Sequence, residues 1–387
     1  MAPLNPSHLL LPLLSALATT SILIFIQRSS YALHSQTILS HPHLPVPETL
    51  NNPLEHNLTP FAPLNLLLSR LNLLFLPALS GQNPALSLQL FHFITQIVPA
   101  VTILLRLSPS PLLFTLALLL SQVVSVAVAI PLFCASLLIF PRHAPPPTKA
   151  LAPSALKAIP WAVTLGFTLP SALVVLGRGE GRRGQALLSV WQGNPLLVYA
   201  AQKGFAWFFA RRRSGLPEDK ATAGPRAGSA NASARAGVRQ PLYSAYTFAC
   251  TVGTVGHVLT LTLILASQFL PSSFPPRIAP AFTLSKVFAP PNPWAAETEV
   301  RFSDAALGIL QLDEMFCFVS LLVFAVLLGR AREQGGREGL PMLPGRVVVT
   351  ALVCGPGTAL VMMVWGLDEK ALKGGDGEGA GVKEKRP

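Results

Sequence analysis

An all-α, polytopic bundle of about seven or eight membrane-spanning helices is the fold class this sequence predicts, and three observations predict it. Of the 387 residues, 51% are hydrophobic and only 12% charged, and the mean hydropathy is +0.50, which is more apolar surface than a soluble domain buries. Runs of roughly 18 to 25 apolar residues recur, the length a helix rising 1.5 Å per residue needs to cross about 30 Å of hydrocarbon. Basic residues gather in short loops beside those runs, as flanking topology determinants do.

In chain order the runs fall at 8–27, 85–105, 111–140, 155–177, 187–209, 243–270, 305–329 and 346–366. The first has no basic leader and no small-x-small cleavage site after it, so it reads as a retained signal-anchor helix rather than a signal peptide. Between it and the second, the Pro-rich loop holds "PFAPLNLLLSRLNLLFLPALS", expected as an in-plane or re-entrant helix at about 59–80. The fifth run is the most polar, holding Gln192, Asn194, Gln202 and Lys203, and suits a cavity-lining or interfacial helix. Residues 214–240 are small and polar and read as a disordered linker, dividing the bundle into 1–213 and 241–367. A solvated tail is expected over 368–387. Pro99, Pro131, Pro160 and Pro170 lie within or at the ends of runs, as in kinked helices around an interior space.

The net charge of +12 invites a nucleic-acid reading, but the cations are dispersed beside the runs, as in Arg178–Arg183, Arg211–Arg213 and Arg330–Arg337. Membrane lipids are the expected partner of such residues, not nucleic acid. The four cysteines, Cys134, Cys250, Cys317 and Cys354, fall inside runs at spacings that form no metal or redox motif. The sequons at Asn57 and Asn231 would lie on opposite sides if the third and fifth runs both cross, so at most one would be glycosylated.

The run "GILQLDEMFCFVSLLVFAVLLG" at 308–329 carries Gln311, Asp313 and Glu314 in its first third. Acidic residues there cost a few kcal/mol, ~2.5–3.5 on insertion scales, unless they pair within the bundle or line a cavity. Asp304, Gln311 and Glu314 share one helical face, and Asp313 points about 100° away. If the helix enters hydrocarbon near residue 305, Asp313 lies about 12 Å deep. Desolvation at such depth favours a neutral carboxyl, and a protonated acid in an apolar pocket can serve as a general acid. The plainer reading is a carboxyl hydrogen-bonded to a neighbouring helix. His92 and Gln96, four apart on one face, form an interhelical pair or a substrate-orienting one. His257, Gln122 and Gln268 read as packing residues with satisfied hydrogen bonds. The candidate catalytic residues are therefore Asp313 and Glu314, and the candidate substrate-binding residues His92, Gln96 and Gln311, with no metal ligands. No nucleotide loop, metal-ligand cluster or nucleophile elbow occurs in the sequence, so the chemistry expected is cofactor-free and acid-initiated.

The layout of seven or eight helices in under 400 residues, with Leu310, Gln311, Leu312 and Asp313 leading the long apolar run of the penultimate span, resembles the fungal membrane-bound terpene cyclases of the ascochlorin and ascofuranone type. It is also similar to their relatives in meroterpenoid and indole-diterpene clusters. Adjacent Glu314 and the 214–240 insert depart from that pattern. The resemblance implies protonation of a terminal epoxide or alkene of a lipophilic prenyl substrate, ring closure through cations, and loss of a proton. Aromatic faces for those cations would come from residues such as Trp191, Trp207, Phe205, Phe316, Phe318 and Trp294. The location expected is multi-pass integral membrane, in the endoplasmic reticulum or another endomembrane. The alternative is a non-catalytic multi-pass membrane protein or a small-molecule transporter.

Overall fold

The computed structural model of the chain describes residues 9–29, 31–41, 44–49, 53–139, 152–177, 181–214, 227–295, 300–333 and 344–374. Every regular element among them is helical, and the chain is a polytopic membrane bundle. The helices are α1 (Leu10–Arg28), α2 (Tyr31–Ser40), α3 (Ala62–Leu79), α4 (Pro84–Leu107), α5 (Pro111–Val124), α6 (Val126–Ile139), α7 (Pro153–Val163), α8 (Leu169–Gly177), α9 (Gly181–Gln192), α10 (Asn194–Ser214), α11 (Ala227–Phe269), α12 (Leu284–Phe288), α13 (Phe302–Glu333), α14 (Pro344–Cys354) and α15 (Pro356–Gly374). Six helical stretches are long and apolar enough to cross a membrane: α1, α3, α4, α7 continued through a π-turn into α8, the 237–269 part of α11, and α13.

Local sequence sets the helix starts. Asn83 caps α4 by accepting from the Leu86 N–H, with Pro84 at the first helical position where no N–H is needed. Ser110 and Pro111 do the same for α5. α4 and α13 are the most buried of the spans, and α1, α6, α11 and α15 pack around them.

Several expectations are corrected. The run 111–140 does not make one crossing. It breaks at Ser125, whose φ of 93° lies where side-chain-bearing residues are rare, and α5 and α6 fold back on each other. Phe114 and Phe133, on the two arms, bring their ring centroids to 5.9 Å. Each arm is about 21 Å long at 1.5 Å per residue, too short to span alone. The 59–80 segment, expected as an in-plane or re-entrant helix, forms α3, which is long and apolar enough to cross a membrane.

The run 187–209 divides at Gly193 into α9 and α10, and α10 packs along α7. The run 346–366 breaks at Gly355, where φ is +93° and Pro356 restarts the helix. Of the expected linker, residues 215–226 lie outside the described residues, while 227–240 are the first turns of α11. Their alanine-rich stretch propagates helix from the span below. The expected tail fails at 368 for a different reason: α15 continues to Gly374, and Asp368 is fully buried. Arg106 reaches it at 2.9 Å and Arg332 at 2.9 Å, and the Tyr246 hydroxyl donates to it. A carboxylate held by two guanidinium groups stays inside where a lone one would not. The part of the tail from 375 lies outside the described residues.

Candidate active site

Asp313 and Glu314 diverge on α13, and the structure gives each a separate surrounding. Asp313 meets the apex of the α5–α6 hairpin. Its Oδ1 accepts from the Ser125 hydroxyl at 2.5 Å and from the Ala127 N–H at 2.6 Å. The break at Ser125 leaves the first N–H groups of α6 without helical partners, and Asp313 supplies the acceptor from another helix. The carboxylate thus sits at the positive end of α6.

Asp313 also lines a cavity of about 490 Å³. Among the described residues around it, Asp313 is the only carboxyl, and the wall is otherwise mostly aliphatic and aromatic, with Thr19, Ser121, Gln122, Ser125, Asn194 and Cys317 as its uncharged polar side chains. Ile22, Ile94, Leu104 and Leu310 come from α1, α4 and α13, and Phe75, Phe93, Phe167 and Trp191 supply the rings. Phe75 and Trp191 meet edge to face, with centroids 5.2 Å apart. Of the six aromatic residues that the sequence suggested, only Trp191 lies on this wall. Phe75, Phe93 and Phe167 carried no signal that would have separated them from other buried rings.

Glu314 does not line the cavity. Gln89 donates to its Oε2, and His92 Nδ1 lies 2.7 Å from its Oε1, a contact at ion-pair distance without hydrogen-bond alignment. His92 Nε2 is 2.8 Å from His257 Nδ1, and His257 Nε2 is 3.0 Å from the Leu352 carbonyl. All four side chains are buried. The far end of this string has a local cause. The Leu352 carbonyl would ordinarily accept from the N–H four residues on, and Pro356 has none, so His257 takes that place.

The string also fixes its protons. A carbonyl only accepts, so His257 Nε2 carries hydrogen. One hydrogen lies between the two imidazoles, since facing lone pairs at 2.8 Å repel.

Gln96 serves packing. Its amide donates to the Gly253 carbonyl at 2.7 Å and accepts from the Gly357 N–H at 3.0 Å, tying α4 to α11 and to the start of α15. Gln311 donates to the Lys286 and Val287 carbonyls and so secures α12. It lines a second cavity, of about 480 Å³, with Arg277, Lys286 and Asp304. The structure therefore brings His92 together with Glu314, places Asp313 alone at the large apolar cavity, and keeps Gln96 and Gln311 apart from both. Gln89 as a partner of Glu314, and His257 as a partner of His92, went unrecognised because their contacts run between helices 165 or more positions apart in sequence.

The family model described as the CtvD domain matches residues 7–372. The chain is 30% identical over 332 residues to terpene cyclase ctvD of Aspergillus terreus (strain NIH 2624 / FGSC A1156), covering 81% of this chain and 85% of that one. It is 25% identical over 313 residues to terpene cyclase ascI of Acremonium egyptiacum, covering 76% and 74%. No solved structure matches the chain.

Proposed function

The chain belongs to the CtvD domain family, and from that membership we propose that it is a membrane-bound terpene cyclase that closes rings on a prenyl or epoxy-prenyl chain by acid initiation. The observation that carries the mechanism is Asp313, a carboxyl facing an apolar cavity with one oxygen held by two donors. Its other oxygen, Oδ2, is the one that carries and delivers a proton. Transfer to an epoxide oxygen or a terminal alkene carbon breaks the C–O or π bond, and a neighbouring alkene attacks the cation that forms. The last cation gives up a proton, so substrate and product are isomers. The N-terminus of α6, with the Ser125 hydroxyl and the Ala127 N–H, stabilises the carboxylate that Asp313 becomes. Phe75, Phe93, Phe167 and Trp191 supply π density to carbocations, and the apolar wall keeps water from quenching them.

Glu314, His92 and Gln89 form a buried support on a face of α13 about 100° from Asp313, and Gln311 and Gln96 hold neighbouring helices. The product belongs, on this reading, to a prenylated secondary metabolite made at an endomembrane. A structural Asp313 is the second reading, because the hairpin cap by itself gives this acid a purpose. The test is expression in a host supplied with prenylated aromatic and epoxidised prenyl precursors, with products compared by mass. A new product isomeric with its precursor is expected, and it disappears in Asp313→Asn membranes that hold as much protein as the parent. An isomer that persists in Asp313→Asn rules out Asp313 as the acid.

A further inference from the structure

Cyclisation at Asp313 requires a route by which a water-insoluble chain reaches it, and the exposure of the cavity wall marks one. Among the described residues that line the cavity, only Leu23, Val123 and Val124 are exposed, at 51%, 64% and 41%. The rest are buried or half-buried. Leu23 lies on α1, and Val123 and Val124 end α5 immediately before the Ser125 apex. Among the described residues, the exposed part of the cavity wall is therefore made by α1 and the end of α5 beside the hairpin apex, and it is aliphatic.

Depth identifies what that exposed rim faces. Ser125 bonds to Asp313, nine positions beyond Asp304 on α13, about 14 Å along the helix axis. From the other side, the 14 residues of α5 put the apex about 21 Å from the start of the hairpin. Both measures place the rim well inside about 30 Å of hydrocarbon. Exposed leucine and valine at that level meet lipid tails, and the acid lies just inside the rim.

We propose that the isoprenoid substrate enters sideways from the bilayer, through the gap bordered by Leu23, Val123 and Val124, and that these residues set which chains are admitted. The inference rests on the cyclase reading for the identity of the occupant. A side opening suits that occupant in two ways. The chain leaves lipid for an equally apolar cavity without crossing water, so little free energy is spent on transfer. The opening also admits hydrocarbon instead of water while the cations exist. The occupant is a prenyl chain and not a polar metabolite, because most of the rim and wall is hydrocarbon, and of the uncharged polar side chains there, Thr19, Ser121, Gln122, Ser125, Asn194 and Cys317, the Ser125 hydroxyl is already committed to Asp313.

The experiment uses the full chain in phospholipid vesicles doped with a farnesol analogue bearing an alkyl diazirine, a probe whose carbene is captured by nearby carboxyls. Photolysis is followed by mass analysis of the peptide that contains Asp313. The parent is expected to give an adduct there. Leu23→Trp combined with Val123→Trp, which fills the gap, should lower the adduct by about tenfold or more by slowing association. Leu23→Ala should raise its rate of formation. Leu116→Trp, on an exposed part of α5 away from the cavity, should leave it unchanged. Melting of each variant in detergent confirms the fold, and Val123→Trp alone replaces the double variant if that one fails to fold. An unaltered adduct in the folded gap-filling variant overturns the proposal, and so does a parent that gives no adduct at all. Turnover does not enter this readout. A chain that takes up the probe through the gap but makes no isomer refutes the cyclase reading and leaves the route standing.

Discussion

Replacing Asp313 separates its two duties, because asparagine and alanine remove different things. Asn keeps an acceptor oxygen for the Ser125 hydroxyl and the Ala127 N–H but has no proton to give at working pH. It replaces the carbonyl oxygen of a neutral acid with that of a neutral amide, so both bonds persist and the loss of stability should be about 1 kcal/mol or less. Ala removes the acceptor. The half-buried Ser125 hydroxyl then loses its acceptor and the Ala127 N–H keeps only its 3.1 Å bond to Ser125 Oγ, at about 1–3 kcal/mol in all. The hairpin also loses what holds Ser125 in a backbone conformation that itself costs about 1–3 kcal/mol. Catalysis should fall about 10²–10⁴-fold in both variants, the usual worth of a general acid. Melting temperature in detergent and isomer formation in membranes read the two effects independently. The expected outcome is a modest loss of stability with complete loss of activity for Asn, and severe loss of both for Ala. An Asp313→Asn protein that turns over at the parent rate while Asp313→Ala unfolds would refute the catalytic argument and leave the cap as the sole role.

Three other outcomes follow from the packing. Asp368→Asn leaves Arg106 buried without a counter-charge and should cost about 3–5 kcal/mol, read as a fall in melting temperature; an unchanged melting curve contradicts the buried pair. His257→Leu strands the Leu352 carbonyl, at about 1–3 kcal/mol. In a Pro356→Ala background that carbonyl can regain a helical N–H, so the cost should shrink, and additive effects in the double-mutant cycle would show that His257 does not stand in for the missing donor. Gly166→Ala would set a methyl 2.5 Å from the Val198 backbone where the π-turn meets α10, and should cost about 1–3 kcal/mol. Wild-type stability there would mean the two helices are not so close.

Fold class was legible in the sequence for a simple reason. Hydrocarbon demands that each crossing satisfy its own backbone, so length and apolarity of a run report a helix with no knowledge of its neighbours. Asp313 stood out by the same rule, since an acid in such a run is costly and needs a purpose. Its purpose was not legible. The runs at 111–140 and 346–366 look unbroken by hydropathy, because one residue in an unusual conformation, Ser125 or Gly355, does not change an average. Whether such a break is tolerated depends on a partner from elsewhere: Asp313 for the N–H groups of α6, and His257 with Gln96 for the groups freed around Pro356. Asp368 was assigned to a tail on its polar neighbours, yet Arg106 and Arg332 make its burial possible. Composition by itself determined that this chain forms helices in a membrane and that Asp313 would be an exceptional residue there. Only the tertiary structure decided which carboxyl faces the cavity, because a 100° step around α13 turns Asp313 toward the hairpin and Glu314 toward two histidines brought in by other helices.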